Sequence, residues 1–322
     1  LVNTAEILSQ VGSIPYYSQE KGNYFEEYLT KEELDWKGTK IPYFQCENNM
    51  PNINELRVLL QMVRNIKPGL VVTVGGSGVL INLIDTIIPV LCIGLGPFEL
   101  ETTMVTCQTL SRSLKEKDKK LLARIGKDEQ SVIQSIFTSS LQPQRIKVTR
   151  TELGLPEDKF IIVIVGYRLD TDISKEFMEM LDEVVDDSIV VALIGIFESY
   201  KSYMLEFPKL RDKVYLLGLT NDILAWIEVC DLYVNPHRKG GGTSGVEALF
   251  QGLPVVTTYY GDVAVNVGED FWTESYKTMP DLIRKYKDDK DFYNEMSAKA
   301  RMRAKILLDT RSEFKSIIKE FE

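Results

Sequence analysis

The stretch between residues 231 and 258, DLYVNPHRKGGGTSGVEALFQGLPVVTT, constrains the fold more than any other part of the sequence. It begins with a short run of apolar, β-forming residues that ends at Pro236, because proline has no N–H to donate to a sheet. Gly240, Gly241 and Gly242 then allow a sharp turn and a close approach of the backbone to a ligand. Apolar residues recur at helical spacing after the glycines, and a GLP turn leads into a second apolar run. The stretch therefore predicts a strand, a glycine-rich loop, a helix and another strand.

The same stretch predicts an anion site. A strand that leads through glycines into a helix points free backbone N–H groups and the positive end of the helix dipole at a ligand. We expect Thr243 or Ser244 to cap the helix. Glu247 faces the same side one turn later, where a carboxylate accepts hydrogen bonds from ribose hydroxyls, and Arg238 and Lys239 add positive charge at the loop mouth. These features favour a nucleoside diphosphate with a group attached over the alternative, an ordinary turn that binds nothing.

The segment GGTSGVEALFQGLPVVT resembles the donor-binding region of GT-B glycosyltransferases. It is similar in particular to the branch that contains the O-linked N-acetylglucosamine transferase and related bacterial enzymes. That family places a hydroxyl–hydroxyl–glycine turn on the donor diphosphate and an acidic residue on the ribose. The resemblance therefore implies the first role for Thr243, Ser244 and Gly245 and the second for Glu247, and it covers roughly the second half of the chain.

The resemblance also implies donor-site residues on other loops. A basic residue after the first strand of the C-terminal domain reaches the diphosphate in the family, and Arg168 follows the predicted strand Phe160–Val165. A guanidinium can bind phosphate bidentately and neutralise charge on a departing diphosphate. The alternative is a surface arginine paired with Asp170 or Asp172. Gly218 begins the loop that meets the nucleobase in the family.

His237 is the only histidine in the chain. It follows the same strand as the glycine-rich loop, and we expect it to donate to a phosphate or a sugar hydroxyl. The predicted donor-site set has Arg168 as the residue that stabilises the leaving group. The donor-binding residues are Gly218, His237, Lys239, Gly241, Gly242, Thr243, Ser244, Gly245 and Glu247.

The implied reaction moves a sugar from a nucleotide diphosphate donor, expected to be a UDP-sugar, to a protein or glycan acceptor. No DxD motif stands in a suitable setting, so we expect transfer without a metal or other cofactor. Retaining GT-B enzymes place a second glutamate eight residues before the ribose carboxylate; Lys239 stands there, which favours an inverting mechanism. Asp85 and Glu99 are candidates for the base by loop position alone. The alternatives are an epimerase of similar fold and a non-catalytic GT-B partner that binds nucleotide or stabilises an active glycosyltransferase.

The composition and net charge limit the classes of partner and the cell compartment that the sequence favours. A formal net charge of −9 and a pI near 5.0 argue against nucleic acid or an anionic membrane as the main partner, while peripheral membrane contact stays open. Four scattered cysteines fit reduced thiols and a cytoplasmic protein. Residues 70–98 are mostly apolar, but glycines and polar residues interrupt them, so a strand and a helix are expected rather than a membrane span. A homo-oligomer or a partner glycosyltransferase also remains open.

Alternating predicted strands and helices indicate an α/β protein with two Rossmann-like domains that face a cleft, the GT-B fold. We expect an acceptor-side domain over residues 1–149 and a donor domain with C-terminal helices over residues 150–322. Because the sequence begins with Leu1, the N-terminal domain can be incomplete. Further expectations are a helix capped by Asn52 or Asn54, a cleft or packing turn at Gly75–Gly78, helices at Thr30–Trp36 and Glu129–Phe137, and a loop with Gly261 and Asp262 at its tip.

Overall fold

The structure is a computed structural model and describes residues 32–36, 39–43, 52–74, 78–94, 100, 105–136, 138 and 141–320. It divides into two compact units, one with the chain up to residue 140 and residues 310–322, the other with residues 141–309. Both units contain a parallel sheet with helices, which confirms the predicted α/β class. In the described part of the chain, no helix is long and apolar enough to cross a membrane.

The first unit is built on a four-stranded parallel sheet whose strands lie side by side in chain order. An antiparallel hairpin of β1 (Glu33–Trp36) and β2 (Thr39–Pro42) precedes it. The remaining elements are α1 (Ile53–Ile66), β3 (Val71–Val74), α2 (Val79–Asp85), β4 (Val90–Ile93), β5 (Cys107–Leu110), α3 (Glu116–Arg124) and β6 (Val132–Gln134). Asn52 caps α1 as predicted, since its side chain accepts from the N–H of Asn54 at 3.0 Å and of Glu55 at 3.3 Å.

The second unit is built on a six-stranded parallel sheet. Its strands are β7 (Phe160–Gly166), β8 (Ile189–Gly195), β9 (Val214–Gly218), β10 (Leu232–Val234), β11 (Val255–Thr258) and β12 (Trp272–Thr273). Its helices are α4 (Leu169–Asp172), α5 (Lys175–Val184), α6 (Tyr200–Glu206), α7 (Ile223–Glu228), α8 (Gly242–Gln251), α9 (Gly261–Val267), α10 (Met279–Asp288) and α11 (Lys290–Leu308).

The strand order of this second sheet determines where a ligand can lie. From β7 the chain builds β8 and β9 to one side, then returns to place β10, β11 and β12 on the other. This is the Rossmann order, and its direction reverses between β7 and β10. Loops leaving the carboxyl ends of these two strands diverge, which opens a crevice at that edge. The glycine-rich loop follows β10, so the fold puts it at this switch point.

The last helix, α12 (Thr310–Lys319), belongs to the first unit. Phe314 and Ile317 pack against Leu91 and Ile93 of β4. The Thr310 hydroxyl donates to the carbonyl of Thr138 at 3.0 Å. The chain therefore completes the core of its first unit with its own C-terminal segment.

Three predicted elements were wrong. Residues 33–36 form β1 rather than a helix, because they pair with β2. Glu129–Ser131 make only one 3₁₀ turn before β6, whose residues pair with β5. Residues 261–267 form α9 rather than a loop, since Gly261 takes a φ of +86° that turns the chain into the helix. Of the predicted turn at Gly75–Gly78, residues 75–77 lie outside the described part, as does Glu99.

Candidate functional site

The N-terminus of α8 has no side-chain cap. Gly241 is the N-cap residue, with a φ of +91°, and no side chain bonds to the first turn. The first intrahelical bond runs from the N–H of Gly245 to the carbonyl of Gly241 at 3.3 Å. The N–H groups of Gly242, Thr243 and Ser244 come before it and point out of the helix end. The predicted cap by Thr243 or Ser244 is therefore wrong, and the open end can bind an anion.

The two hydroxyls of this turn differ in orientation. The Ser244 side chain is buried; its Oγ donates to the carbonyl of Gly241 at 2.8 Å and lies 2.8 Å from the hydroxyl of Tyr233. Thr243 is exposed. Ser244 therefore offers a ligand its backbone N–H, whereas Thr243 can offer its hydroxyl as well.

Arg238 lies beneath the loop instead of at its mouth. Its guanidinium is buried and has five hydrogen-bond acceptors, the weakest being Oγ of Ser244 at 3.5 Å. It pairs with Asp172 at 3.0 Å and donates to the side chain of Asn235 at 2.9 Å. It also donates to the carbonyl of Val165 at 2.7 Å and the Tyr233 hydroxyl at 2.9 Å. Burial opposes its charge, but Tyr233 and Asp172 outweigh burial and raise its pKa. Arg238 thus ties the loop to the ends of β7 and β10.

Two glycines make room for this arginine. A Cβ on Gly166 would lie 2.6 Å from Nη1 of Arg238, and a Cβ on Gly241 would lie 2.6 Å from Nη2. Both distances are far below van der Waals contact, so no larger residue fits without moving the guanidinium. By contrast, a Cβ on Gly240 would meet no atom within 4 Å.

Arg168 follows β7 at the same edge of the sheet and is exposed. The carboxylates that could have paired with it are both engaged elsewhere. Asp170 accepts from the N–H groups of Glu198 at 2.8 Å and Ser199 at 2.7 Å, and Asp172 pairs with Arg238. Among the described residues, the guanidinium of Arg168 has no ion pair, which leaves it available for a phosphate.

Glu247 lies one turn into α8 and is half-buried. Its carboxylate has no hydrogen bond or ion pair to any described residue, and burial raises its pKa to about 7. The carboxyl group can therefore accept a hydrogen bond from a donor outside the protein, such as a hydroxyl group.

His237 is held in place on three sides. Its Nδ1 lies 3.2 Å from Oγ1 of Thr258, and its ring stacks on Tyr260 with centroids 4.0 Å apart. Its backbone N–H donates to the hydroxyl of Tyr276 at 2.6 Å. The other ring nitrogen, Nε2, is the one left for a ligand. Lys239 beside it is exposed.

Gly218 and Gly245 complete the predicted set. Gly218 ends β9 with a φ of +76°, and the space around its α-carbon is open. A Cβ on Gly245 would lie 3.1 Å from Val263, so this glycine allows α8 to pack closely on α9. The fold thus brings the loops after β7, β10 and β11 together at the switch point, with Gly218 on the outer strand.

The base candidate Asp85 is structurally engaged. Its Oδ1 accepts from the N–H of Val90 at 3.0 Å and from the N–H and hydroxyl of Thr106, each at 2.8 Å. It therefore ties the turn after α2 to the start of β5. Nothing in its surroundings marks it as a catalytic base.

Part of the chain matches a known family model. Residues 146–303 match the family model described as glycosyl transferases group 1. This segment is therefore similar to group 1 glycosyltransferases. It contains the whole of the candidate site from Arg168 to Asp262. No curated protein matches the chain significantly.

Solved structures similar to most of the chain share its GT-B fold. HepE of Anabaena in complex with UDP has a TM-score of 0.64 at 14% identity, covering 82% of this chain and 80% of HepE. A glycosyltransferase of Rickettsia africae has a TM-score of 0.64 at 13% identity, covering 87% and 85%. The pneumococcal O-GlcNAc transferase GtfA, in complex with UDP and GlcNAc, has a TM-score of 0.56 at 12% identity, covering 90% and 69%. At these identities the likeness establishes two Rossmann-like domains.

Proposed function

We propose that the chain is a glycosyltransferase that binds a nucleotide sugar, a UDP-sugar, at the N-terminus of α8 and transfers the sugar to a protein or glycan acceptor. The observation that carries this is the uncapped end of α8, inside the segment that matches the group 1 family model. Three backbone N–H groups are open there, and the half-buried carboxyl of Glu247 follows one turn later. This spacing matches the diphosphate and ribose of one ligand.

Each residue then has a part in holding the donor. The diphosphate lies against the N–H groups of α8 and the Thr243 hydroxyl, with positive charge from Arg168 and Lys239. Glu247 accepts from the ribose hydroxyls. Charge builds up on the diphosphate as the bond to the sugar breaks, so fixed N–H groups and a guanidinium stabilise the departing group. His237 donates through Nε2 to a phosphate or sugar oxygen, and Gly218 leaves room for the nucleobase of the donor.

UDP is the first nucleotide to test. The HepE structures contain UDP and UDP-glucose, and the GtfA structure contains UDP and GlcNAc. These ligands are bound by proteins that are 14% and 12% identical to this chain, and we use them to choose the nucleotides for the titration. Lys239 stands eight residues before Glu247, so we keep the prediction of an inverting mechanism, which the anomeric configuration of the product tests.

A second candidate function is a non-catalytic partner that binds nucleotide. The engagement of Asp85 in the fold favours it, because it removes one of the two residues suggested as the base. The two candidates differ in turnover. A glycosyltransferase slowly releases UDP from UDP-sugar in water or with an acceptor, whereas a binding partner releases none.

Calorimetric titration with UDP and GDP tests the donor site. We expect UDP to bind the wild type. Arg168→Ala and Glu247→Ala should each reduce the binding free energy of UDP by about 1.5–3 kcal/mol, the cost of losing one charge-assisted hydrogen bond. Arg211→Ala is the matched control, because Arg211 is exposed and precedes β9 at the opposite edge of the sheet. Buffer with EDTA restricts the measurement to protein groups.

Binding lost only in the two site variants supports the proposal. If the folded wild type binds neither nucleotide, the proposed function is wrong and only the fold remains. An equal loss of UDP affinity in the control variant would show that removing any exposed arginine weakens binding. Arg168 would then have no specific part in the site.

A further inference from the structure

One carboxylate beside the glycine-rich loop has no part in the donor site described so far. Asp262 lies in the first turn of α9, and its N–H donates to the carbonyl of Lys239 at 2.7 Å. Its Oδ1 is buried without a hydrogen-bond partner among the described residues. A buried oxygen of this kind is unfavourable unless a partner completes it. Asp262 is therefore a candidate for contact with a ligand.

Close backbone contacts hold Asp262 against the loop. Gly261 has a φ of +86°, and a Cβ there would lie 2.0 Å from the carbonyl oxygen of Arg238. On the other side, a Cβ on Gly242 would lie 3.0 Å from the Cβ of Asp262. The start of α9 is thus pressed against residues 238–242, and the carboxyl group lies beside the first residue of α8.

Asn266 faces the same place. It follows Asp262 by four residues, so the two side chains share one face of α9. A Cβ on Gly242 would lie 2.7 Å from its Nδ2. Its side-chain amide has no hydrogen bond to any described residue. A carboxylate and an amide therefore lie together against the glycine-rich loop, both without protein partners.

The chemistry of this pair fits a sugar rather than a phosphate. Phosphate oxygens only accept hydrogen bonds, so a carboxylate facing them repels their charge. Sugar hydroxyls donate and accept, which suits a carboxylate that accepts and an amide that does both. Rotation about the Cβ–Cγ bond exchanges the two oxygens of Asp262, so either one can face the ligand.

We propose that Asp262 and Asn266 bind hydroxyl groups of the transferred sugar and determine which nucleotide sugar the chain accepts. The inference rests on the proposed function, since it requires the diphosphate on α8. Burial raises the pKa of Asp262 to about 6, so the accepting carboxylate form prevails at neutral pH.

The test compares ligands with and without the sugar. UDP, UDP-glucose and UDP-N-acetylglucosamine are titrated into the wild type, Asp262→Ala and Asn266→Ala. The wild type is expected to bind UDP and one of the two nucleotide sugars. Each substitution is expected to lower the affinity for that nucleotide sugar about tenfold. The affinity for UDP should stay within about twofold of the wild-type value. Glu269→Gln is the control, an exposed carboxylate just after α9. If Asp262→Ala does not fold, Asp262→Asn keeps the shape and removes the charge.

Three results would overturn the inference. An equal loss of affinity for UDP and for the nucleotide sugar would show that Asp262 and Asn266 contact the diphosphate instead of the sugar. Unchanged nucleotide-sugar affinity in both variants, or a wild type that binds UDP and neither nucleotide sugar, would remove the pair from sugar recognition. A wild type that binds no UDP is a different failure, because it contradicts the proposed function itself.

Discussion

At the scale of single residues, the site depends on Arg238, which the sequence placed at the mouth of the loop. Nothing in the string RKGGG shows that the arginine points inward and the lysine outward. The acceptors that surround it come from β7, β10 and α4, up to 73 residues away in the chain. Only the tertiary fold brings them together. The predicted roles of Glu247 and Arg168, by contrast, come from local position and resemblance, and they remain predictions.

Glu247 gives a prediction about stability and pH. Burial raises the pKa of its carboxyl from the ordinary value of 4.5 to about 7 in the folded protein. The folded state therefore favours the protonated form. Its contribution to stability is complete below pH 4.5 and is lost as the pH rises to about 7. A pKa difference of this size corresponds to roughly 3 kcal/mol at most.

Glu247→Gln cannot ionise and keeps its contribution at every pH. We expect the free energy of unfolding of the variant, minus that of the wild type, to increase by up to about 3 kcal/mol between pH 4.5 and 7 and then to level off. Urea unfolding at pH 4.5, 5.5, 6.5 and 7.5 measures it. Asp262 titrates in the same range in both proteins, so its effect cancels. A difference that does not change with pH would show that Glu247 is solvated.

At the scale of elements, the apolar strands and helix starts could be predicted because they are local. The strands β7 and β8, the Asn52 cap and the glycine-rich loop before α8 all follow from composition and spacing over a few residues. Strand β1, strand β6 and helix α9 could not, because each depends on pairing or packing with residues elsewhere. The lack of a cap on α8 also needed the structure, since Ser244 is drawn inward by Tyr233.

Two adjacent glycines of the loop before α8 should differ sharply in what they tolerate. Gly241→Ala combines a positive φ with a Cβ placed 2.6 Å from Arg238, so we expect a loss of about 2–4 kcal/mol in the free energy of unfolding. Gly240→Ala has open space and no positive φ, and we expect a change within about 1 kcal/mol. Chemical denaturation of both variants measures this. Similar losses in the two would mean that Arg238 does not fill the space under Gly241.

At the scale of the whole molecule, the chain returns from its second unit to complete the first. The sequence predicted helices near the C-terminus, but helix periodicity does not show which sheet a helix packs against. Phe314 and Ile317 of α12 are almost fully buried against β4, and Thr310 bonds to the segment after β6. The core of the first unit therefore depends on residues at the far end of the chain. All the donor-site residues proposed here belong to the second unit.

This arrangement separates stability from donor binding. Phe314→Ala leaves a cavity in the first unit, and we expect it to lower the free energy of unfolding by about 3–5 kcal/mol. Met302→Ala is the control, because Met302 on α11 is 67% exposed and its loss leaves no cavity. The affinity for UDP at a temperature where the variant remains folded should stay within about twofold of the wild type, since the cavity lies in the first unit and the donor site in the second. Thermal unfolding measures the stability of each variant, and calorimetric titration of the same preparation measures its affinity for UDP. A loss of UDP affinity in Phe314→Ala that is absent in Met302→Ala would show that the first unit controls the donor site, and the two units would then have to be treated as coupled.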